Sequence, residues 1–500
     1  MLYRGAGTKD MDLPEYMSKY ITEPDNIYDL AGNCFGILSE KVEKPARFIS
    51  DYVSEGENGN PNLGELNDFS ETVMWEVSDL RPSRYDDFQS HVMKMIKSLR
   101  LRPYADKDLN ELSVIYFLLA GIDAGAKTWP SFKYVSGMGP LDRDNKTGYR
   151  VYFSSRDTLH SDYVENIGRD RQYTSDFSAQ FESFRFVNTG TWKLGENVPR
   201  MIYLPYGRND SRRRGKRLRA AVIPGMNEKN FEFVKTTGSS YRVDYSRTGQ
   251  KRITNKIIKS VNKALDAQCD LIVLPEYITS PAVFGTIQKQ IKKEYLKRGP
   301  GDMPLLILSG SSWTNDDNNV LKVLDEFGDE IGSYYKYSAY TKKKSGKYGY
   351  ELYESLTDPG RRSDLFAIEG WGVLLPAICR DVIDGEHTEV MARVFLPFLL
   401  VISAWSRSVK SFEERQRELA NKYFISSILA NACGAVKKDA VKIGNAGIVH
   451  KKGTIAGILF QDICRDKCSG SCEKCECAYI VEFDFTYDDI TNTKISINKL

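Results

Sequence analysis

Residues 374–381 read Leu-Leu-Pro-Ala-Ile-Cys-Arg-Asp, "LLPAICRD", an apolar run that ends on Cys379 with charged residues following at once. A cysteine in that setting is often no more than a small buried hydrophobe. To act as a nucleophile it needs a base to take the thiol proton and a fixed cation for the charge that develops on the substrate. Two other apolar runs end on those residue types. "DLIVLPEY" (270–277) stops at Pro275, which cannot donate to a sheet ladder, and Glu276 is the first side chain beyond it. In "DEFGDEIGSYYKY" (325–337) a glycine turn feeds a second strand that delivers Lys336 after two tyrosines. Strand ends of an α/β fold can converge on one crevice. Brought together, Glu276 with a pKa raised by apolar walls takes the thiol proton, the thiolate attacks a carbonyl or nitrile carbon, and Lys336 holds the tetrahedral charge. Singly, each residue has a plainer reading: an acid at a helix start, a lysine on a hairpin edge, a core thiol.

The surrounding text supports an α/β domain. A strand "LRAAVIPGM" is followed by helical periodicity in "ITNKIIKSVNKALDAQ" and "TIQKQIKKEYLKR", a strand "PLLILSGSSW", and a hairpin around "VLKVLDEFGDEIGSYYKY". After the cysteine come a helix near "TEVMARVF", a strand "PFLLVISAW", one long helix "SFEERQRELANKYFISSILAN" and closing strands. Domains are expected at 1–205 (α+β), 206–216 (a basic linker) and 217–500. In the first, "DDFQSHVMKMIKSLR" and "LNELSVIYFLLAGIDA" read as helices, "GYRVYFSS" and "SFRFVNTGTW" as strands, and "SEGENGNPNLGELND" as a mobile loop.

Bulk properties narrow the function. The 500 residues carry 70 Lys and Arg against 67 Asp and Glu, so whole-molecule charge does not announce nucleic acid. The opening "MLYRGAGTKDMDL" lacks the pattern of a signal peptide, and the runs "VIYFLLAG" and "VFLPFLLVISAW" are shorter than the roughly 20 apolar residues a membrane span needs. A cytoplasmic protein without a membrane partner is expected, its nine cysteines serving as thiols or metal ligands.

The order and context of the three residues resemble the nitrilase superfamily of carbon–nitrogen hydrolases over about residues 217–500. "LRAAVIPGM" is similar to the family's first strand, "DLIVLPEY" to its glutamate motif, "LSGSSW" through "SYYKY" to its lysine segment, and "WGVLLPAICRD" to its cysteine motif. The resemblance implies a four-layer α-β-β-α sandwich, a Glu276–Lys336–Cys379 triad, and a second glutamate in "YGYELYESLTDPG", for which Glu354 is preferred to Glu351 by its distance from Gly360. It implies an amide substrate, or less readily a nitrile or carbamoyl group, and a homo-oligomer. Two motifs depart from the family: Arg417-Glu418-Leu419-Ala420-Asn421 has Ala420 where a glutamate is usual, and the first strand ends in Pro224-Gly225 where glutamine is usual. The alternative is a non-catalytic oligomeric scaffold, or a nucleic-acid-associated component of a bacterial defence system.

Two further features stand out. Lys342, Lys343, Lys344 and Lys347 lie among tyrosines in "YSAYTKKKSGKYGY", and Arg212, Arg213, Arg214, Lys216, Arg217 and Arg219 crowd the domain seam. Each is a solvated segment, a guide for an anionic substrate, or a nucleic-acid contact; without salt-sensitive binding, the small-substrate role is expected. "CRDKCSGSCEKCEC" offers Cys464, Cys468, Cys472 and Cys475 as ligands of one structural zinc, with Cys477 as substitute, in what reads as a stapled hairpin before the strand "AYIVEFDF". Free thiols and redox pairing are the alternatives, and no cofactor is expected for catalysis.

Overall fold

The computed structural model describes residues 15–49, 60–80, 84–102, 107–126, 149–153, 181–188, 199–204, 217–224, 231–299, 302–342, 352–432, 445–449, 459–462, 478–484 and 494–499, with breaks of one or two residues inside some spans and isolated residues between others. The chain divides into two compact units.

The first unit, residues 1–192 with short later pieces, holds helices α1 (Glu15–Thr22), α2 (Ile27–Lys41), α3 (Pro45–Phe48), α4 (Leu63–Ser78), α5 (Tyr85–Ser98) and α6 (Lys107–Ala126), and a hairpin of β1 (Tyr149–Phe153) with β2 (Phe184–Asn188). The run "VIYFLLAG" lies in α6. Its stretch Leu109–Ala126 is long and apolar enough to span a membrane, yet 78% of it is buried inside the protein, so core packing accounts for its composition. Gly121 and Gly125 let α6 approach α4: a Cβ on Gly121 would lie 2.6 Å from the Ser70 carbonyl oxygen, and one on Gly125 2.6 Å from that of Met74. The buried carboxylate of Asp123 accepts from the backbone N–H of Ser183 and Phe184, which anchors the start of β2.

The expected loop at 54–68 needs correction, because α4 begins at Leu63 and buries Leu66, Phe69, Val73 and Val77. Asn62 pins the helix start by accepting from the Arg102 N–H and donating to its carbonyl. Polar composition masked a stripe of helical spacing.

The second unit contains β3 (Arg200–Leu204), shared at its end with the first, then β4 (Arg217–Val222), β5 (Phe231–Lys235), β6 (Ser240–Tyr245), α7 (Arg247–Asp266), β7 (Leu271–Val273), α8 (Pro281–Arg298), β8 (Leu306–Trp313), β9 (Asn319–Leu324) and β10 (Glu330–Tyr335). It continues with β11 (Thr341–Lys342), β12 (Leu352–Glu354), β13 (Asp364–Ile368), β14 (Gly372–Ile378), α9 (Arg380–Ile383), α10 (Glu386–Phe395), β15 (Leu399–Ala404), α11 (Lys410–Tyr423), β16 (Ser426–Asn431), β17 (Asn445–Val449), β18 (Leu459–Asp462), β19 (Tyr479–Asp484) and β20 (Lys494–Lys499). Two seven-stranded sheets run in the orders β10-β9-β8-β7-β4-β19-β20 and β18-β17-β16-β15-β14-β13-β3. Each has parallel strands at its centre, β4, β7 and β8 in one and β14, β15 and β16 in the other. Of these, β7, β8, β14, β15 and β16 are buried on both faces, hence their largely apolar sequences. A third sheet, β11-β12-β6-β5, was not legible in the sequence.

Three other expectations are corrected by the fold. The helix expected to run to Asn431 ends at Tyr423, and "SSILAN" is β16, fully buried and paired in parallel with β15. The cysteine run does not join the two strands of one hairpin, because β18 before it and β19 after it belong to different sheets. Strand β3 pairs at the edge of the second unit's sheet, although the expected boundary at 205 assigned it to the first domain.

Candidate active site

Glu276 stands just past β7, where Tyr277 takes a left-handed φ of 62°. That turn fits because β8 bulges at Gly310, whose φ is 74° and whose added Cβ would lie 2.2 Å from the Pro275 carbonyl oxygen. Ser403 Oγ on β15 donates to the Leu274 carbonyl at 2.8 Å, joining the two large sheets at this point. Cys379 ends β14 with φ 43° and ψ −99°, a conformation outside the regions normally open to a residue with a Cβ. It is held there by its own N–H donating to Ser403 O at 2.9 Å and by its carbonyl accepting from Val382 N at 3.2 Å. Backbone strain of this kind costs roughly 1–3 kcal/mol and persists only where surrounding bonds fix it.

Lys336 leaves β10 and is 2% exposed. Its Nζ donates to Glu276 Oε1 and to Glu354 Oε2, both at 2.7 Å. Glu354, at the end of β12, also accepts from Tyr277 Oη at 2.8 Å, Asn319 Nδ2 at 3.0 Å and Tyr340 N at 2.8 Å. Glu276 accepts from Asn319 Nδ2 at 2.9 Å through Oε1 and from Trp405 N at 3.0 Å through Oε2. The Cys379 thiol adjoins the Glu276 carboxylate and the Trp405 backbone N–H. The structure thus brings Glu276, Lys336, Glu354 and Cys379 into one buried cluster. Glu351, the rejected second glutamate, lies outside the described residues.

Electrostatics follow from burial. Burial raises the pKa of Glu276, opposed by the Lys336 ammonium and assisted by Glu354. Lys336 is itself penalised by burial, but the two carboxylates outweigh that and hold it protonated, well above the ordinary lysine value. The Cys379 thiol is pushed up by burial and by Glu276, against a lowering by Lys336, so it rests protonated. Two carboxyl groups on one ammonium make a buried, water-poor cluster. Removing one partner of such a set costs about 3–5 kcal/mol by stranding the other charge.

Four contributors were not assigned roles from sequence. Asn319, quoted within the lysine segment, bridges both carboxylates. Tyr277, adjacent to Glu276, donates to Glu354, and the Trp405 backbone reaches Glu276 because Asn431 Oδ1 and Nδ2 clamp both backbone groups of Ser406. Asp381, two residues past the thiol and wholly buried, accepts from Tyr337 N at 3.0 Å and Ser338 N at 2.6 Å, tying the exit from Lys336 to the turn that carries Cys379. A buried Asp directly after "CR" was the available signal for it.

The other sequence features resolve only in part. Arg219, placed in the basic seam, instead lies in β4 and donates to the Ala267 carbonyl at 2.6 Å. Residues 206–216, the loop 343–350, and Cys464, Cys468, Cys472, Cys475 and Cys477 lie outside the described residues. Among the described residues no group of three or more His, Cys, Asp and Glu side chains is arranged to hold a metal.

No family model and no curated protein matches the chain. Among solved structures it is similar to an amidase from the nitrilase superfamily of Nesterenkonia, at 13% identity and a TM-score of 0.35, over 49% of this chain and 87% of that one. The NitFhit protein of C. elegans is similar at 15% identity and TM-score 0.37, over 54% and 61% respectively. A glutamine-dependent NAD+ synthetase from Acinetobacter baumannii is similar at 16% and 0.33, over 54% and 46%.

Proposed function

We propose that the second unit is a carbon–nitrogen hydrolase of the nitrilase superfamily, built as the four-layer sandwich its motifs imply, and that it cleaves an amide through an acyl-enzyme on Cys379. The observation that carries this reading is the buried Lys336 ammonium clamped at 2.7 Å by both Glu276 and Glu354, with the Cys379 thiol against Glu276. A structural role alone gives no reason to bury two carboxylates, an ammonium and a strained cysteine together, since apolar residues of similar volume are commonly as stable.

Each group then has a task. The Glu276 carboxylate, poorly solvated and so more basic than a surface glutamate, takes the thiol proton as sulfur attacks the carbonyl carbon. The oxyanion formed there is met by Lys336, whose charge is fixed in place before the reaction begins. Collapse breaks the carbon–nitrogen bond, the proton on Glu276 passes to the departing nitrogen, and ammonia or an amine leaves a thioester. Glu276 next takes a proton from water; the hydroxide adds, and the thiolate leaves and recovers that proton. Glu354 positions Lys336 and keeps it charged. We further propose one structural zinc on Cys464, Cys468, Cys472 and Cys475, a cytoplasmic setting, and assembly into homo-oligomers.

The test is intact-protein mass spectrometry after incubation with a panel of amides, comparing wild type with Glu276→Gln and Cys379→Ala. An acyl-sized mass increase is expected on wild type quenched during turnover and on neither variant, since one lacks the base that takes the thiol proton and the other lacks the thiol. Turnover retained by Cys379→Ala would sink the thiol mechanism.

A further inference from the structure

Among the described residues, two neighbouring helices carry a large excess of positive charge. Helices α7 and α8 together carry eleven lysines and arginines against two acids, Asp266 and Glu294. Their excess of nine exceeds the whole chain's excess of three, so the remainder of the chain is net acidic. The buried faces, Ile253, Ile257 and Val261 on α7 and Val283, Ile287 and Ile291 on α8, turn into the core. Lys251, Arg252, Lys259 and Lys263 are exposed on one helix, Lys289 and Lys293 on the other.

Gln290 Nε2 donates to Asn262 Oδ1 at 2.8 Å, and Arg298 meets Asp266 at 2.6 Å. These two contacts set the helices side by side in the same direction, which merges their stripes into one face. Both acids lie at its C-terminal end, where Arg298 engages them. Along the rest, like charges recur at four-residue spacing, as in Lys259 with Lys263 and Lys289 with Lys293. Each such pair costs a helix a few tenths of a kcal/mol that an interposed glutamate would recover. The exposed Asn255 occupies a position where an acid would neutralise part of the face. Lys292 meets Asp329 at 2.6 Å and Lys297 meets Glu294 at 2.9 Å, so the face rests on the exposed Lys251, Lys263, Lys289 and Lys293.

We propose that this face binds the phosphate backbone of a nucleic-acid duplex. Helices of this length run about 27–30 Å, and packed helices lie about 8–10 Å apart, so the face spans several phosphates along a duplex. It favours a duplex because stripes of cations suit a continuous phosphate backbone, whereas a single strand is held chiefly by bases stacked on exposed aromatic side chains. This surface is neither the lysine loop nor the seam to which sequence reading assigned any such contact. It stands independently of the chemistry at Cys379.

The test is fluorescence anisotropy of a labelled 24-base-pair duplex, DNA and RNA in turn, with the full chain across a series of salt concentrations. Wild type should bind with a steep negative dependence of log affinity on log salt. Combined Lys251→Gln, Lys263→Gln, Lys289→Gln and Lys293→Gln substitution should make that slope shallower by about 3 to 4, near 0.9 for each phosphate that is no longer neutralised. The matching four-fold Lys→Arg protein should keep the wild-type slope, which separates removal of charge from damage to the fold. An unchanged slope in the glutamine protein overturns the proposal. So does binding to vesicles of anionic phospholipid without binding to either duplex, which would make the face a membrane contact.

Discussion

Burial shifts Asp381 and His387, both packed against Tyr334 and Tyr337 beside the candidate site, in opposite directions. Burial pushes the Asp381 carboxyl up to about 7, although the Ser338 and Tyr337 N–H groups oppose the shift. Burial pushes His387 down to about 4. Between about pH 4 and 7 folded Asp381 holds a proton that the unfolded chain releases, so its contribution to stability falls as pH rises. Over about pH 4 to 6.5 the unfolded chain protonates His387 and the folded one does not, so that contribution rises with pH, and the two largely cancel. Asp381→Asn keeps an oxygen for the two N–H donors and removes only the falling part. Its melting temperature should therefore climb relative to wild type from pH 4.5 to 6.5, on the order of 1.4 kcal/mol of stability per pH unit. Parallel melting profiles for the two proteins would show that Asp381 does not titrate in that range.

At the scale of elements, glycines mark where backbones must touch. Gly310→Ala places a Cβ 2.2 Å from the Pro275 carbonyl at a φ of 74°, so the turn bearing Glu276 has to move. Loss of the acyl adduct is expected, together with a drop of several kcal/mol from combined strain and overpacking; an intact adduct would mean that the bulge does not set Glu276. In the first unit Gly121→Ala should destabilise by about 1–3 kcal/mol through contact with Ser70 and Val73. Gly64→Ala, with open space at its Cβ, should be neutral or stabilising by up to about 1 kcal/mol. Equal melting shifts for the two variants would refute the close helix approach. The strands bearing Glu276 and Cys379 were legible because burial on both faces writes itself as an apolar run that stops where chemistry begins, and the one bearing Lys336 was legible from the glycine turn before it. Hairpin β5–β6 was not, since Phe231, Phe233 and Tyr241 alternate with polar residues too briefly to stand out. "SSILAN" reads equally as the end of a helix or as a strand, and only pairing with β15 decides it. Asn319 was visible as a residue but not as a bridge, because its role depends on two carboxylates far from it in sequence.

Over the whole molecule, the connection between β18 and β19 crosses from one large sheet to the other, and the cysteine run occupies it. That topology changes what a metal there would do. A zinc held by Cys464, Cys468, Cys472 and Cys475 closes a short loop in a segment whose two ends belong to different sheets, so it restricts the unfolded chain and fixes the crossover. Strand β19 lies between β4 and β20, and its loss would split its sheet. The expected outcome is about one zinc per chain in protein purified under reducing conditions, and a melting temperature lowered by several degrees when a strong chelator strips it. Replacing Cys468 and Cys472 by serine should give the same lowered melting temperature without chelator, and adding chelator to that variant should change nothing further. Protein without zinc, in which thiol reagents titrate all five cysteines of the run and chelators leave the melting temperature alone, would return the run to the free-thiol reading.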